Sequence, residues 1–166
     1  MSDPTPVENE KLELVVESAL PNSQPHLLFS VYDIDDINQL LVDLSSTGKP
    51  GRQYCNLMEI ARQVVNHGLV IVRIQEKLVG MGTLCIKTTL TGTRGEIEDV
   101  VVSASHQRKG IGTKITNRLI DMGRELALPY LDLHTSRADA RAMYAKIGFK
   151  QTKEDRSSEV LRYRYM

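Results

Sequence analysis

The chain has few cysteines, no excess of charge of either sign and no long apolar run, and each shortage removes a class of function. Two cysteines in 166 residues, Cys55 and Cys85, form neither a disulfide framework nor a metal-ligand spacing, which fits packed thiols in a reducing compartment. Lysine plus arginine number 21, as do aspartate plus glutamate. No global field therefore recruits nucleic acid or an anionic membrane, and any anion site must be local. No apolar stretch approaches the roughly twenty residues of a membrane span. The first residues, with Asp3, Pro4 and Pro6, lack the basic and apolar regions of a signal peptide. The expectations are a cytoplasmic location, no nucleic-acid partner and no membrane. The length suits one domain with a sizeable core. Residues 1–25, which hold four of the six prolines, read as a loose N-terminal extension in which Lys11 to Leu20 can be a short helix or strand, and residues 26–166 as the domain.

What is present centres on Glu96 to Leu126. Ile97-Glu98-Asp99-Val100-Val101-Val102 is a β-branched run bounded by polar residues, the pattern of a strand buried on at least one face. After Gly112 the period changes. Ile111, Ile115, Leu119, Met122 and Leu126 form one apolar stripe of a helix. Gly110 and Gly112 fall at its start, where free N–H groups and the helix dipole favour an anion, with Arg108 and Lys109 adding charge.

Spacing separates the phosphate-loop readings. A dinucleotide fingerprint needs a third glycine where Ile115 stands, and a Walker loop needs a Gly-Lys-Ser/Thr ending that no glycine here provides. The remaining pattern, Gln107-Arg108-Lys109-Gly110-Ile111-Gly112, resembles the acetyl-CoA pyrophosphate loop of the GNAT superfamily of N-acetyltransferases. A second segment, Ala140-Arg141-Ala142-Met143-Tyr144-Ala145-Lys146-Ile147-Gly148-Phe149, is similar to the superfamily's Ala-x-x-x-Tyr-x-Lys-x-Gly-Phe motif. The resemblance covers about Leu27 to Tyr165.

The rest of the chain supplies the elements around these motifs. Leu27 to Tyr32 reads as a strand, and Asp33 as the cap of a helix carrying Ile34, Ile37, Leu40, Leu41 and Leu44. Ser45 to Gly51 breaks that pattern, and Asn56 to His67 resumes it as a second helix closed by Gly68. Leu69 to Ile74 and Leu78 to Thr88 form a hairpin about Gln75-Glu76-Lys77. Pro129 stops the long helix before a strand at Tyr130 to His134. Ser136 reads as the cap of the motif helix, with Asp139 at capping-box spacing and Gly148 at its left-handed end. Phe149 to Lys153 and Val160 to Tyr165 make a final strand pair. This order suits a mixed α/β domain. The resemblance implies a GNAT-type fold, a central mixed, mostly antiparallel sheet flanked by about four helices.

The resemblance also implies the chemistry: acetyl-CoA as cofactor, an amine acceptor that is a small molecule or peptide, and a homodimer left open. Anchoring of the pyrophosphate falls to the loop from Gln107 through Thr113, and of the pantetheine arm and acetyl carbonyl to main-chain groups near Val100 and Val102. By spacing alone Tyr144 belongs to an apolar stripe with Ala140, Met143 and Ile147. The resemblance puts it near the CoA sulfur as the catalytic acid. An ammonium has an ordinary pKa near 10, so something must remove its proton, and Glu96 and Glu98, on one face of a regular strand, are the candidate bases, with Glu98 preferred. Both acids can instead bind positive groups of the acceptor. His106 reads as a surface histidine and His134 as a hydrogen-bonded structural one. Arg137 stands where many members have a cofactor-binding asparagine, and it can meet a CoA phosphate.

The Ile97-Glu98-Asp99-Val100 segment looks like that of the glucosamine-phosphate acetyltransferases of the superfamily, while small amines, aminoglycosides, amino acids and protein N-termini stay open as acceptors. The acceptor walls, Ser45 to Tyr54 and Lys153 to Glu159, carry no signature. A non-catalytic CoA-binding regulatory module is the rival reading.

Overall fold

The computed structural model describes residues 13–22, 33–44, 56, 59, 62, 66–152 and 160–165. Seven strands form one sheet: β1 (Leu14–Ala19), β2 (Gly68–Ile74), β3 (Lys77–Thr89), β4 (Gly92–Val102), β5 (Tyr130–His134), β6 (Lys150–Gln151) and β7 (Val160–Arg164), in the order β1-β2-β3-β4-β5-β7-β6. The pairing is antiparallel throughout except between β4 and β5. This is the mixed, mostly antiparallel sheet that the family resemblance implies. The helices are α1 (Asp33–Leu44), α2 (Ile111–Glu125) and α3 (Ala138–Ile147), with a single 3₁₀ turn at Ala104–His106. Three helices are thus described where about four were expected. The missing one, Asn56 to His67, falls mostly outside the described residues, although a reciprocal Asn56–Glu59 pair of backbone-to-side-chain bonds marks its start as a capping box.

The strand expected at Leu27 to Tyr32 lies outside the described residues. Within the stretch read as a loose extension, the segment Lys11 to Leu20, open to either a short helix or a strand, contains the edge strand Leu14–Ala19, paired along its length with β2. Proline and acid content is what pointed to a loose chain. Pairing with the apolar β2 supplies what the local sequence does not.

Alternating residues feed two cores. One lies under α2 and α3, around Val70, Val72, Leu84, Ile97, Ile115, Leu119, Leu131 and Phe149. The other lies under α1, around Ile37, Leu40, Leu69, Ile71, Met81 and Val101. Helix α2 sits directly on the backbone of β3: a Cβ added at Gly82 would come within 2.7 Å of Ile115, and one at Gly80 within 3.0 Å. Bare backbone there lets the helix approach closely and sets the height of its N-terminus over the sheet. The β2–β3 hairpin turns through Gln75 and Glu76, both at positive φ, as a two-residue type I′ turn requires.

Helix α1 is pinned by charge at its start. Arg73 of β2 reaches Asp33 through two bonds of 2.6 and 3.1 Å and Glu17 of β1 at 2.9 Å, while Asp36 accepts the Leu78 amide at 3.2 Å. Asp33, expected as a cap, is instead the first helical residue and gives its carboxylate to Arg73. Removing one partner of a buried pair strands the other, so Arg73→Met should cost about 3 kcal/mol, or about 6–12 °C in Tm. A calorimetric scan checks this, and a shift under 2 °C would show that α1 is held by its apolar face alone. Among the described residues no helix is long and apolar enough to cross a membrane.

Candidate active site

The β4–β5 ladder has three rungs, Gly95↔Leu131, Glu96↔Asp132 and Ile97↔Leu133. Beyond Ile97 strand β4 runs on beside β3 alone, so one backbone edge of residues 98–102 faces a wedge between separating strands. The wedge opens into a cleft of about 820 Å³, walled by the end of β4, the following loop, the first turn of α2, the end of β5 and α3.

A bulge shapes the β4 wall. Thr83 faces Glu98 but Met81 faces Val101, so β4 carries one residue more than β3. That residue is Asp99, at φ 53°, a left-handed conformation that aspartate tolerates better than most residues. Val100 and Val102 face the α2 core and Val101 the α1 core. Glu96 and Glu98 share the α1 face, as alternation implies.

The loop returns to a helix through left-handed residues, Arg108 at φ 63° and Gly110 at φ 79°. Gln107 donates its side-chain amide to the Val102 carbonyl at 3.0 Å, tying the loop to the strand end. Gly110 is the N-cap of α2 and offers no side-chain cap. The first return bond is Lys114 N–H to the Gly110 carbonyl at 3.1 Å, so among the described residues the N–H groups of Ile111, Gly112 and Thr113 have no partner. A Cβ at Gly110 would find no atom within 4 Å. The arrangement is a bare, positive helix end facing open space.

Of the residues singled out from the sequence, Glu98, Val100, Val102, Gln107, Arg108, Gly110, Ile111, Gly112, Thr113, Arg137 and Tyr144 all line this cleft. Lys109 and Glu96 do not. Lys109 is exposed. Glu96 is only 7% exposed, with one carboxylate oxygen on Lys87 of β3 and the other 3.4 Å from His134 Nε2.

Tyr144 projects from α3 with 6% exposure, its ring edge-on to Phe149 at 5.7 Å between centroids. Its hydroxyl has no hydrogen-bond partner among the described residues. Burial pushes its pKa up to about 12, against a small opposing pull from Arg137, so the group stays protonated through the physiological range. Arg137, not Ser136, is the N-cap of α3. Its guanidinium grips Asp139 at 2.9 and 3.2 Å and holds that carboxyl below the ordinary carboxylate range. Part of the positive charge expected for a phosphate is therefore already matched.

Asp99 was missed as a cleft residue. The residue is exposed, yet the cleft walls desolvate its carboxyl, and this, with the charge of Glu98, raises its pKa. No sequence signal separates it from its neighbours, because the run reads as regular strand. His134 and Thr135 also line the cleft, at the end of β5. The acceptor walls expected at Ser45 to Tyr54 and Lys153 to Glu159 lie outside the described residues, as does Cys55. The Cys85 thiol on β3 is pushed up to about 11 by burial.

Comparison with known proteins points one way. The family model described as Acetyltransferase (GNAT) family matches residues 35–149. The probable glucosamine 6-phosphate N-acetyltransferase 2 of Oryza sativa subsp. japonica is 36% identical over 58 residues, which are 35% of this chain and 34% of the relative. The match thus spans about a third of the length of that curated relative. Among solved structures, glucosamine-6-phosphate N-acetyltransferase from Arabidopsis thaliana superposes with a TM-score of 0.63 at 19% identity, over 88% of this chain and 97% of that one. The protein yncA from Salmonella typhimurium, solved with its cofactor acetyl-CoA, gives 0.65 at 16% identity over 91% and 93%. These likenesses show the fold.

Proposed function

The chain belongs to the GNAT acetyltransferase family, and from that premise we propose that it moves an acetyl group from acetyl-CoA to a primary amine by direct attack in a ternary complex. The observation that carries this is the coincidence of two features: a parallel ladder that stops at Ile97↔Leu133 and an uncapped helix N-terminus at the same end of the sheet. The α2 amides would hold the pyrophosphate, and the open edge of β4 would bond the pantetheine arm. Acetyl-CoA supplies an activated acyl group on sulfur. Everything else falls to side chains.

Glu98, on the cleft wall, draws the acceptor ammonium by charge, and Tyr144 gives the departing thiolate a proton. Both similar proteins named as glucosamine-6-phosphate N-acetyltransferases, and the Ile97-Glu98-Asp99-Val100 segment, support amino sugar phosphates as the first acceptors to try. Aminoglycosides, amino acids and peptide N-termini complete the panel.

Acetyl-CoA at a hundred times its Kd should add about 2.7 kcal/mol, a rise in Tm of about 5–10 °C. Thiol release across the panel then reads turnover. A melting temperature indifferent to acetyl-CoA would remove the cofactor assignment. A clear shift with no thiol release from any amine would leave a binding module and no transferase.

A further inference from the structure

Past the last β4–β5 rung, the next residue on each strand is titratable: Glu98 on β4 and His134 on β5. The rung Glu96↔Asp132 fixes the faces, and alternation puts Glu98 and His134 on the same side as Glu96, the α1 side. Had the ladder continued, the two would be neighbours across it. Instead they stand on opposite lips of the wedge, both lining the cleft.

His134 is held from behind. Its Nε2 lies 3.4 Å from Glu96 Oε1, and Lys87 fixes the other oxygen of that buried carboxylate. The imidazole side chain is itself 55% exposed, so a proton taken there has a path to water. A carboxylate at one ring nitrogen favours N–H at that position and leaves Nδ1 as the acceptor.

We propose that His134, positioned by Glu96, takes the proton from the acceptor ammonium. This rests on the transferase reading above. With one ring nitrogen on Glu96 and the other free to accept, an imidazole can take a proton on the cleft side and release it to water. The ammonium gives one proton to His134 Nδ1, and the freed lone pair forms the N–C bond to the acetyl carbon. As the C–S bond breaks, sulfur takes a proton from Tyr144, and the nitrogen's second proton restores the tyrosine. The net products are the amide, the free thiol and one proton that His134 passes to solvent.

The charges around His134 are consistent with this role. Glu96 of β4 faces it with Lys87 of β3 behind. Asp132 of its own strand is bound by Arg162 of β7 at 2.6 and 2.8 Å. Glu98, Asp99, Asp43 at the end of α1 and Arg137 before α3 share its cleft.

The test uses the full chain with the acceptor found by the amine panel. His134→Gln should lower kcat/KM for the amine at least about tenfold at neutral pH, abolish the acid limb of the pH profile, and leave Tm and the acetyl-CoA Kd unchanged. Added imidazole should restore part of the rate. Glu96→Gln should leave His134 in place but mix its tautomers, read by ¹⁵N-edited spectra of the free protein, where the wild type should be Nε2–H. An unaltered rate and pH profile in His134→Gln, with wild-type turnover intact, would overturn this role alone. A wild type that turns over no amine would overturn the transferase reading and this one with it.

Discussion

Tyr144→Phe should lower kcat at least about tenfold at neutral pH while leaving stability and acetyl-CoA affinity nearly unchanged, since general acid catalysis is typically worth 10²–10⁴-fold. The substitution keeps the ring that packs edge-on against Phe149 and removes only a hydroxyl with no hydrogen-bond partner among the described residues. No buried partner is stranded by its loss, so Tm has little reason to fall. The pH dependence has a definite sign. With its pKa pushed up to about 12, the hydroxyl carries its proton through neutral and mildly alkaline pH, so the wild-type rate should not fall there through tyrosine ionisation. The deficit of the variant should shrink as pH rises, because a thiol with an ordinary pKa near 8.5 leaves unaided as thiolate. A tyrosine that only packs predicts an unaltered kcat beside the unaltered Tm. Both are measured on one preparation, and an unchanged kcat with chemistry rate-limiting would take Tyr144 out of the reaction.

Gly110→Val should remove acetyl-CoA binding in a chain that still folds. The position combines two demands: φ is 79°, where a β-branched residue is strained by about 1–3 kcal/mol, and the space where a side chain would stand is open. Two lost amide-to-phosphate bonds at about 1.5 kcal/mol each would weaken Kd about 100-fold. Gly110→Asn separates the causes, because asparagine accepts a left-handed φ. Loss of binding in both variants assigns the effect to the occupied space, and loss in valine alone assigns it to the backbone. Calorimetry giving wild-type affinity for both folded proteins would refute the phosphate loop.

Much of this was legible in the sequence because the decisive elements have clean periods. The stripe from Ile111 to Leu126 and the two apolar runs on either side of Gln75-Glu76-Lys77 admit few other readings, and the two glycines mark the loop. What escaped was set by partners distant in sequence. The sequence left Lys11 to Leu20 open between helix and strand, and pairing with β2 is what makes Leu14–Ala19 a strand. Glu96 and Glu98 are equivalent by alternation, and only the place where β5 leaves β4, with Lys87 and His134 arriving from other strands, tells them apart. Ser136 had the better capping chemistry, yet the helix begins one residue later, where Arg137 and Asp139 clasp each other.

Asp99 makes the number of residues in β4 odd where β3 offers an even partner count, and parity is a property that substitution cannot alter but deletion can. Any side chain that accepts the left-handed φ keeps the count. Removing one residue between Glu98 and Val101 would give Gly82 a single partner and leave Met81↔Val101 and Gly80↔Val102 as they stand, so Val101 would still face α1 and Val102 would still face α2. The extra residue therefore sets the local bend and twist of the strand rather than the faces of the residues after it. Deleting Asp99 should keep both cores packed and straighten the wall of the cleft.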